Sequence, residues 1–336
     1  RDQTSTGIVG LMIITRTPLR ISLGGGGTDI PSFYRQNDHG FLIAAAISKY
    51  VYISVNANFE NSILLRYSEV EKVNSVDSVR HPLLRECLIA TGVTGKIEIS
   101  SMADVPSGTG LGSSGSFCVG ALKALSLHNH KNLSALELAE LACDIEMNRL
   151  GEPTGKQDQY ISAFGGISTF SFKSDGTVIH EFIQISKQTR QNIEENLLLF
   201  YTGIQRSASA ALSTEQVHES SKYQNDNLVE TRNIGYKTRD ILTSGDMEAF
   251  GQILTEQWKL KYHRQPSKLH QQIDEWIQIG ISSGALGGKL VGAGGGGFLL
   301  FYAERKNELR NSMEKIGLTE LDFRIDNEGT SVTVSQ

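Results

Sequence analysis

The chain has 336 residues, 39% of them apolar, with 32 Lys and Arg against 37 Asp and Glu for a net charge of −5. That is enough material for two compact domains or one large α/β unit with a sizeable core, and it excludes disorder. No basic run interleaved with aromatics tracks a nucleic-acid backbone or an anionic membrane, and no apolar run approaches the ~20 residues of a membrane span.

Residues 1–11 precede an internal Met12 and read as a leader or tag. From there the first hundred residues are strand-rich. Ile13–Leu23, Phe41–Ser48, Tyr50–Asn58, Ile63–Ser68 and Lys96–Ser101 carry β-branched and aromatic residues between turn signals, with a short helix expected at Phe33 to Asp38. Between Ser114 and Phe164 the period turns helical. Ser134 and Glu137 form a capping box, Leu138, Leu141, Ala142 and Ile145 supply an apolar stripe, and the helix is expected to run to about Leu150, where Gly151 and Pro153 stop it. Strands resume at Gly166–Phe172, Val178–Phe182 and Leu197–Thr202, and helices dominate from about Ala208 to Ser282. The remainder alternates strand, helix and strand, the rhythm of an α+β sandwich. A composition dip at Ser186–Gln191 divides the chain into 12–188 and 189–336.

The three cysteines, Cys87, Cys118 and Cys143, are far apart, with no CxxC and no histidine at ligand spacing. They read as small core residues of a protein kept in a reducing cytoplasm. The 34 glycines cluster at 24–27, 108–115, 284–288 and 292–297, so several loops must press bare backbone against something.

The run Pro106-Ser107-Gly108-Thr109-Gly110-Leu111-Gly112-Ser113-Ser114-Gly115-Ser116 opens a helix. Glycines let backbone N–H groups approach an anion, the helix N-terminus adds unpaired donors, and a serine hydroxyl can reach a metal or a phosphate oxygen. A dinucleotide fingerprint is matched formally by Gly110 to Gly115, but two helices follow instead of a helix and a parallel strand. Walker A fails as well, since Lys156 is followed by Gln157 and Lys289 by Leu290, neither of which offers a hydroxyl. Phosphoryl transfer needs a phosphate cradle, a metal held by hydroxyl and carboxylate, a group facing the attacking hydroxyl and a balancing cation. Glu146 and Asp158 bracket the turn at Gly151–Gly155, and Arg20 and Asp29 flank the first glycine run. Singly each reads as a surface group; their joint appearance beside glycine loops points to a nucleotide-using enzyme.

The chain resembles the GHMP family of small-molecule kinases, whose three motifs are matched in order by Pro18 to Asp29, Pro106 to Ser116 and Lys289 to Phe298. The resemblance covers nearly all of residues 12–336. It implies an N-terminal domain like one found in a ribosomal protein and a ferredoxin-like C-terminal domain. It also implies that Pro106, Gly108, Gly110, Leu111, Gly112, Ser113, Ser114 and Gly115 hold ATP phosphates, that Ser114 and Glu146 ligate Mg2+, and that Asp158 faces the acceptor hydroxyl. Arg20 then sits near the transferred phosphoryl group and Asp29 holds sugar hydroxyls, with Gly26, Gly27, Thr28, Gly294 and Gly295 completing the substrate site. One departure is Gly115, where alanine or serine is usual. Another is Gly26-Gly27, which replaces the Glu-His that grips galactose.

Within the family, Thr17 to Asp29, Gln157 to Tyr160 and Phe200 to Arg206 look most like the branch acting on D-glycero-D-manno-heptose 7-phosphate. That likeness implies transfer to the anomeric oxygen of a sugar phosphate. The phosphate already on such a substrate needs a cation, for which Arg206 or Lys261 is expected, with Arg66 and Lys156 behind them. Open alternatives are a kinase for a free sugar such as L-fucose and a ligand sensor that kept the fold without catalysis. The partner is a small molecule, and the chain is expected to be a monomer or homodimer.

Overall fold

The computed structural model describes residues 12–204, 222–264 and 267–335. β1 (Ile13–Gly24) and β2 (His39–Ala57) form the antiparallel centre of the larger sheet. The turn between them holds the first glycine run and a single helical turn, α1 (Pro31–Tyr34), shorter than the helix read from the sequence. β2 is continuous through Lys49, where the pattern reads as two runs, because it changes partner along its length. β3 (Ile63–Arg66), β4 (Val70–Val73), α2 (Pro82–Thr91) and β5 (Ile97–Ala103) follow. Residues 51–57 of β2 pair with β5 and bury alternate side chains, Val51, Ile53 and Val55, as a strand with one wet face does. Residues 41–47 are buried without interruption, which erases the alternation.

α3 (Ser113–His128) packs on β1 and β2, and Cys118, Val119, Ala121, Leu122, Ala124 and Leu125 are all fully buried. A helix apolar over most of its circumference belongs in the core. α4 (Ala135–Cys143) starts with the expected capping box: Glu137 N–H donates to Ser134 Oγ, and Ser134 N–H donates to Glu137 Oε2. The regular helix ends at Cys143. Residues 144–149 widen into a π-helical turn, closed by Leu150 N–H donating to Ile145 O at 3.0 Å, a form common at functional sites. α5 (Gln157–Phe164), β6 (Ile167–Lys173) and β7 (Val178–Phe182) complete this layer, with β6 paired to the first half of β2. A buried hydroxyl joins three elements here. Ser116 Oγ on α3 donates to Pro18 O on β1 at 2.8 Å and lies 2.8 Å from Ser162 Oγ on α5.

α6 (Lys187–Asn196) is a helix that the sequence dip conceals, capped by Ser186. β8 (Leu197–Tyr201), α7 (Lys222–Ser244), α8 (Met247–Arg264), α9 (Lys268–Ser282), β9 (Gly287–Leu290), β10 (Phe298–Tyr302), α10 (Lys306–Lys315) and β11 (Thr319–Leu321) build the second sheet, ordered β11-β8-β10-β9 and antiparallel throughout. Both its faces are covered. Leu299 and Phe301 join a core with Trp258, Ile273 and Leu309, while Leu300 and Tyr302 join the main core with Phe250 and Leu254. α7 crosses to the larger sheet, where Tyr236 stacks on Phe41 with centroids 3.9 Å apart. β12 (Ser331–Ser335) also returns there and pairs with β1. Among the described residues no helix is long and apolar enough to cross a membrane.

Gly120 lies where α3 presses on β1 without room for a side chain. A Cβ there would lie 2.6 Å from Thr17 Oγ1, which bonds Thr330 Oγ1 at 2.8 Å. Valine would gain a few tenths of a kcal/mol of helix propensity over glycine, about 0.3, against an overpacking cost of about 1–3 kcal/mol. Gly120→Val should therefore destabilise the protein by about 1 kcal/mol or more, read as a lower urea midpoint.

Candidate active site

One cavity of about 1190 Å³ runs between the glycine loop before α3, the turn after β1, the start of α5 and one face of α8. Pro106, Gly108, Gly110, Gly112, Ser113, Ser114 and Gly115 all line it, whereas Leu111 is fully buried and uses its carbonyl to accept from Arg20 N–H at 2.9 Å. Gly112 caps α3 in the left-handed region, φ +78°, with no side-chain cap for the first-turn amides. Those donors are left for a ligand. The third glycine run is packed on this loop backbone to backbone, since a Cβ on Gly292 would stand 2.5 Å from Gly110 Cα.

Arg20 projects from β1 into the same space. Its Nε donates to Asp158 Oδ1 at 2.6 Å and its Nη1 to Gly110 O at 2.5 Å, so a single guanidinium fixes both the loop and the carboxylate. Among the described residues Asp158 Oδ2 accepts no hydrogen bond and is left facing the cavity that Asp158 lines. Asp29 lies close by. It accepts from Gln157 N–H at 3.0 Å and from Gly27 N–H at 3.2 Å, and burial pushes its carboxyl above the usual range. Gly115 explains its own departure from the family pattern: a Cβ there would lie 2.7 Å from Asp158 Cβ.

Glu146 sits on the π-helical turn, 3% exposed, and accepts from Ser114 Oγ and from Gln159 Nε2. Burial pushes its carboxyl up to about 7, against the opposing pull of those two bonds and with help from the nearby Asp158 charge. Gln159 Oε1 is buried without a partner. A hydroxyl, a carboxylate and an orphaned amide oxygen form a hard oxygen donor set that fits Mg2+, which is held by one or two carboxylates plus substrate phosphates. Among the described residues no cluster of three His, Cys, Asp or Glu side chains could hold a metal by itself.

Other expected substrate residues divide. Gly26, Gly27, Asp29 and Lys261 line the cavity. Thr28 does not. It is fully buried and its hydroxyl donates to Gly25 O and Phe41 O, holding the turn. Gly294 and Gly295 also lie off the cavity lining, where Gly292 and Ala293 stand instead, and Gly294 O bonds the His270 ring at 2.9 Å. Lys156 donates to Gly176 O and Arg66 pairs with Glu98, both away from the lining. Arg206 is outside the described residues. Sequence reasoning missed Lys289, Arg264 and Gln257, which line the wall beside Lys261. It also missed an aromatic arm in which His81 stacks on Phe117, centroids 5.2 Å apart, with Tyr67 edge-on at 4.7 Å. Its residues are scattered over the turn after β3, the N-cap of α2 and the first turns of α3, so no local pattern announces it. Only the third motif, which begins at Lys289, could have pointed to the lysine.

Family models supply the deciding comparison. That of the GHMP kinase N-terminal domain matches residues 77–166 and that of the GHMP kinase C-terminal domain matches 238–317. The chain belongs to the GHMP kinase family. As a GHMP kinase it is a phosphotransferase with an alcohol group as acceptor. A curated relative, D-glycero-alpha-D-manno-heptose 7-phosphate kinase of Campylobacter jejuni, is 28% identical over 94% of this chain and 97% of the relative. The galactokinase of Thermococcus kodakarensis is also 28% identical, over 86% and 88%. Among solved structures, a D-glycero-D-manno-heptose 1-phosphate kinase from Bacteroides thetaiotaomicron superposes with a TM-score of 0.78 at 23% identity, covering 95% of this chain and 98% of that one. The GHMP kinase fold of two domains read from the sequence is thereby confirmed.

The raised Glu146 carboxyl fixes a sign. Glutamate in the unfolded chain ionises near 4.5, in the ligand-free folded protein near 7, so its destabilising effect is absent below the first value and complete above the second. Glu146→Gln, assayed with chelator, should gain stability relative to the parent as pH rises from 4.5 to 7 and then level off, by about 3 kcal/mol. A difference independent of pH in urea melts would contradict the assignment.

Proposed function

We propose that this GHMP kinase transfers the γ-phosphoryl group of ATP to the anomeric hydroxyl of a sugar phosphate, of the D-glycero-D-manno-heptose 7-phosphate type, giving the 1,7-bisphosphate. The observation that carries the reading is Asp158: one carboxylate oxygen held by Arg20, the other open to the cavity beside the uncapped start of α3. The kinase named for heptose 7-phosphate, similar over almost its whole length, supports the acceptor class.

In this reading the first-turn amides of α3 and the loop from Pro106 to Gly115 bind the triphosphate, and the aromatic arm at Tyr67, His81 and Phe117 takes the nucleoside base. Burial holds the His81 ring below its usual pKa, so Nδ1 stays an acceptor for Leu84 N–H at 3.3 Å and keeps α2 capped. Ser114 and Glu146, steadied by Gln159, hold Mg2+, which when bound neutralises charge on the phosphates. Asp158 accepts the hydroxyl proton as the acceptor oxygen bonds to the γ-phosphorus and the bond to the bridging oxygen of ADP breaks. Arg20 balances the charge that develops there, and Asp29 with Gly26 and Gly27 orients the sugar. Most of the rate comes from this positioning. Lys261, on the cavity wall formed by α8, meets the phosphate already on the acceptor.

A coupled ADP assay over free hexoses, heptose and heptose 7-phosphate tests the acceptor class: highest kcat/KM with the phosphorylated heptose supports it, and equal or better use of a free sugar overturns it. Asp158→Asn should lower kcat by about 100-fold or more while ATP affinity stays nearly unchanged. Turnover like that of the parent would remove Asp158 from the reaction.

A further inference from the structure

Lys289 on β9 reaches the cavity wall with only 6% of the residue exposed. Its ammonium donates to Gln257 Oε1 at 2.7 Å, and Gln257 Nε2 donates in turn to Leu23 O at 2.8 Å. Among the described residues no carboxylate pairs with it. A buried cation with a neutral amide as partner costs folding energy, and here its charged neighbours are of like sign: burial first, then Lys261 and Arg20, push the ammonium down to about 7. An incoming anion removes that penalty.

Two anions could do so, the donor triphosphate and a phosphate on the acceptor. The geometry favours the second. Lys289 is tied to α8 through Gln257, whose amide reaches Leu23 O beside the first glycine run, and a Cβ on Gly27 in that run would stand 3.8 Å from Arg264 Nη2. Helix α8 turns Gln257, Lys261 and Arg264, spaced four and three residues apart, toward the cavity on one face. Arg264 is anchored by donating to Asn227 Oδ1 at 3.0 Å.

We propose that Lys289, with Lys261 and Arg264, forms a subsite for the phosphate group carried by the acceptor, and that Lys289 determines the preference for phosphorylated over free sugar. The inference rests on the sugar-phosphate reading above and names the residue that enforces it.

The test is Lys289→Met, of similar length and without charge, compared with the parent on D-glycero-D-manno-heptose 7-phosphate and on the same heptose without its phosphate. The KM for the phosphate ester should rise about 10- to 100-fold, as expected for losing a buried charge-assisted bond, while the KM for ATP and for free heptose stay within about twofold. In the absence of ligand the variant should melt no lower than the parent, and it should lose the rise in melting temperature that inorganic phosphate gives the parent. Equal weakening toward both acceptors, or a raised KM for ATP alone, overturns the subsite. A parent that prefers the ester and a variant that keeps the preference sink this inference only. A parent indifferent to the phosphate sinks the sugar-phosphate reading, and the subsite with it. Should Lys289→Met fail to fold, Lys261→Gln must show the same split between ester and free sugar, and its absence counts against the subsite.

Discussion

The hydroxyl of Ser116 holds the working parts of this kinase in register. It is fully buried, donates to Pro18 O and lies beside Ser162 Oγ, so it joins α3, β1 and α5 at one point. Each of those elements contributes one cavity-lining group within a turn of the junction: Ser114 two residues before Ser116, Arg20 two residues after Pro18, and Asp158 four residues before Ser162, on the same face of its helix. Pro18 stands at an irregularity in the β1–β2 register, and such a break is where a proline is tolerated in a paired strand. A buried hydroxyl left without partners would cost about 1–3 kcal/mol, so the three elements are fastened together by the penalty for separating them.

The part of the candidate site around the mouth of α3 was legible because phosphoryl-transfer chemistry needs residue types that stand out. Glycines that bare the backbone, a serine at a helix mouth and carboxylates beside tight turns can be recognised without coordinates, and the cavity gathers Arg20, Asp29, Ser114, Glu146 and Asp158 as expected. The family match over both domains made the fold equally readable. What stayed hidden depends on long-range packing. The first half of β2 loses its alternation because both of its faces are covered, and α6 is so polar that its start at Lys187 looks like a linker. Lys289 lies on a strand of four residues and gains its meaning only when α8 crosses it. Thr28 shows the reverse error: a hydroxyl in the right motif is consumed by Gly25 and Phe41 carbonyls.

Charge is divided along the cavity. Asp29, Glu146 and Asp158 gather on the side of the larger sheet, where desolvation raises the first two carboxyls, and Lys261, Arg264 and Lys289 gather on the side of the second. Asp29, Glu146 and Lys289 are costly in their charged forms because burial removes the water that would solvate them. A ligand with a metal-bound triphosphate at one end and an anion at the other would satisfy both ends together. Discrimination then comes from leaving one end unsatisfied when the wrong molecule enters.

The pairing of β12 with β1 joins Ile13 to Ser335 across the chain. On the ribosome, residues 13–16 of β1 must therefore wait for residues 331–335 to emerge before their outer side finds a mate. Until then the strand that carries Arg20 offers an open edge, the kind of surface on which nascent chains stick to one another. The candidate-site residues Arg20, Ser114, Glu146 and Asp158 are all synthesised early, yet the strand that carries Arg20 gains its second partner only from residues 331–335.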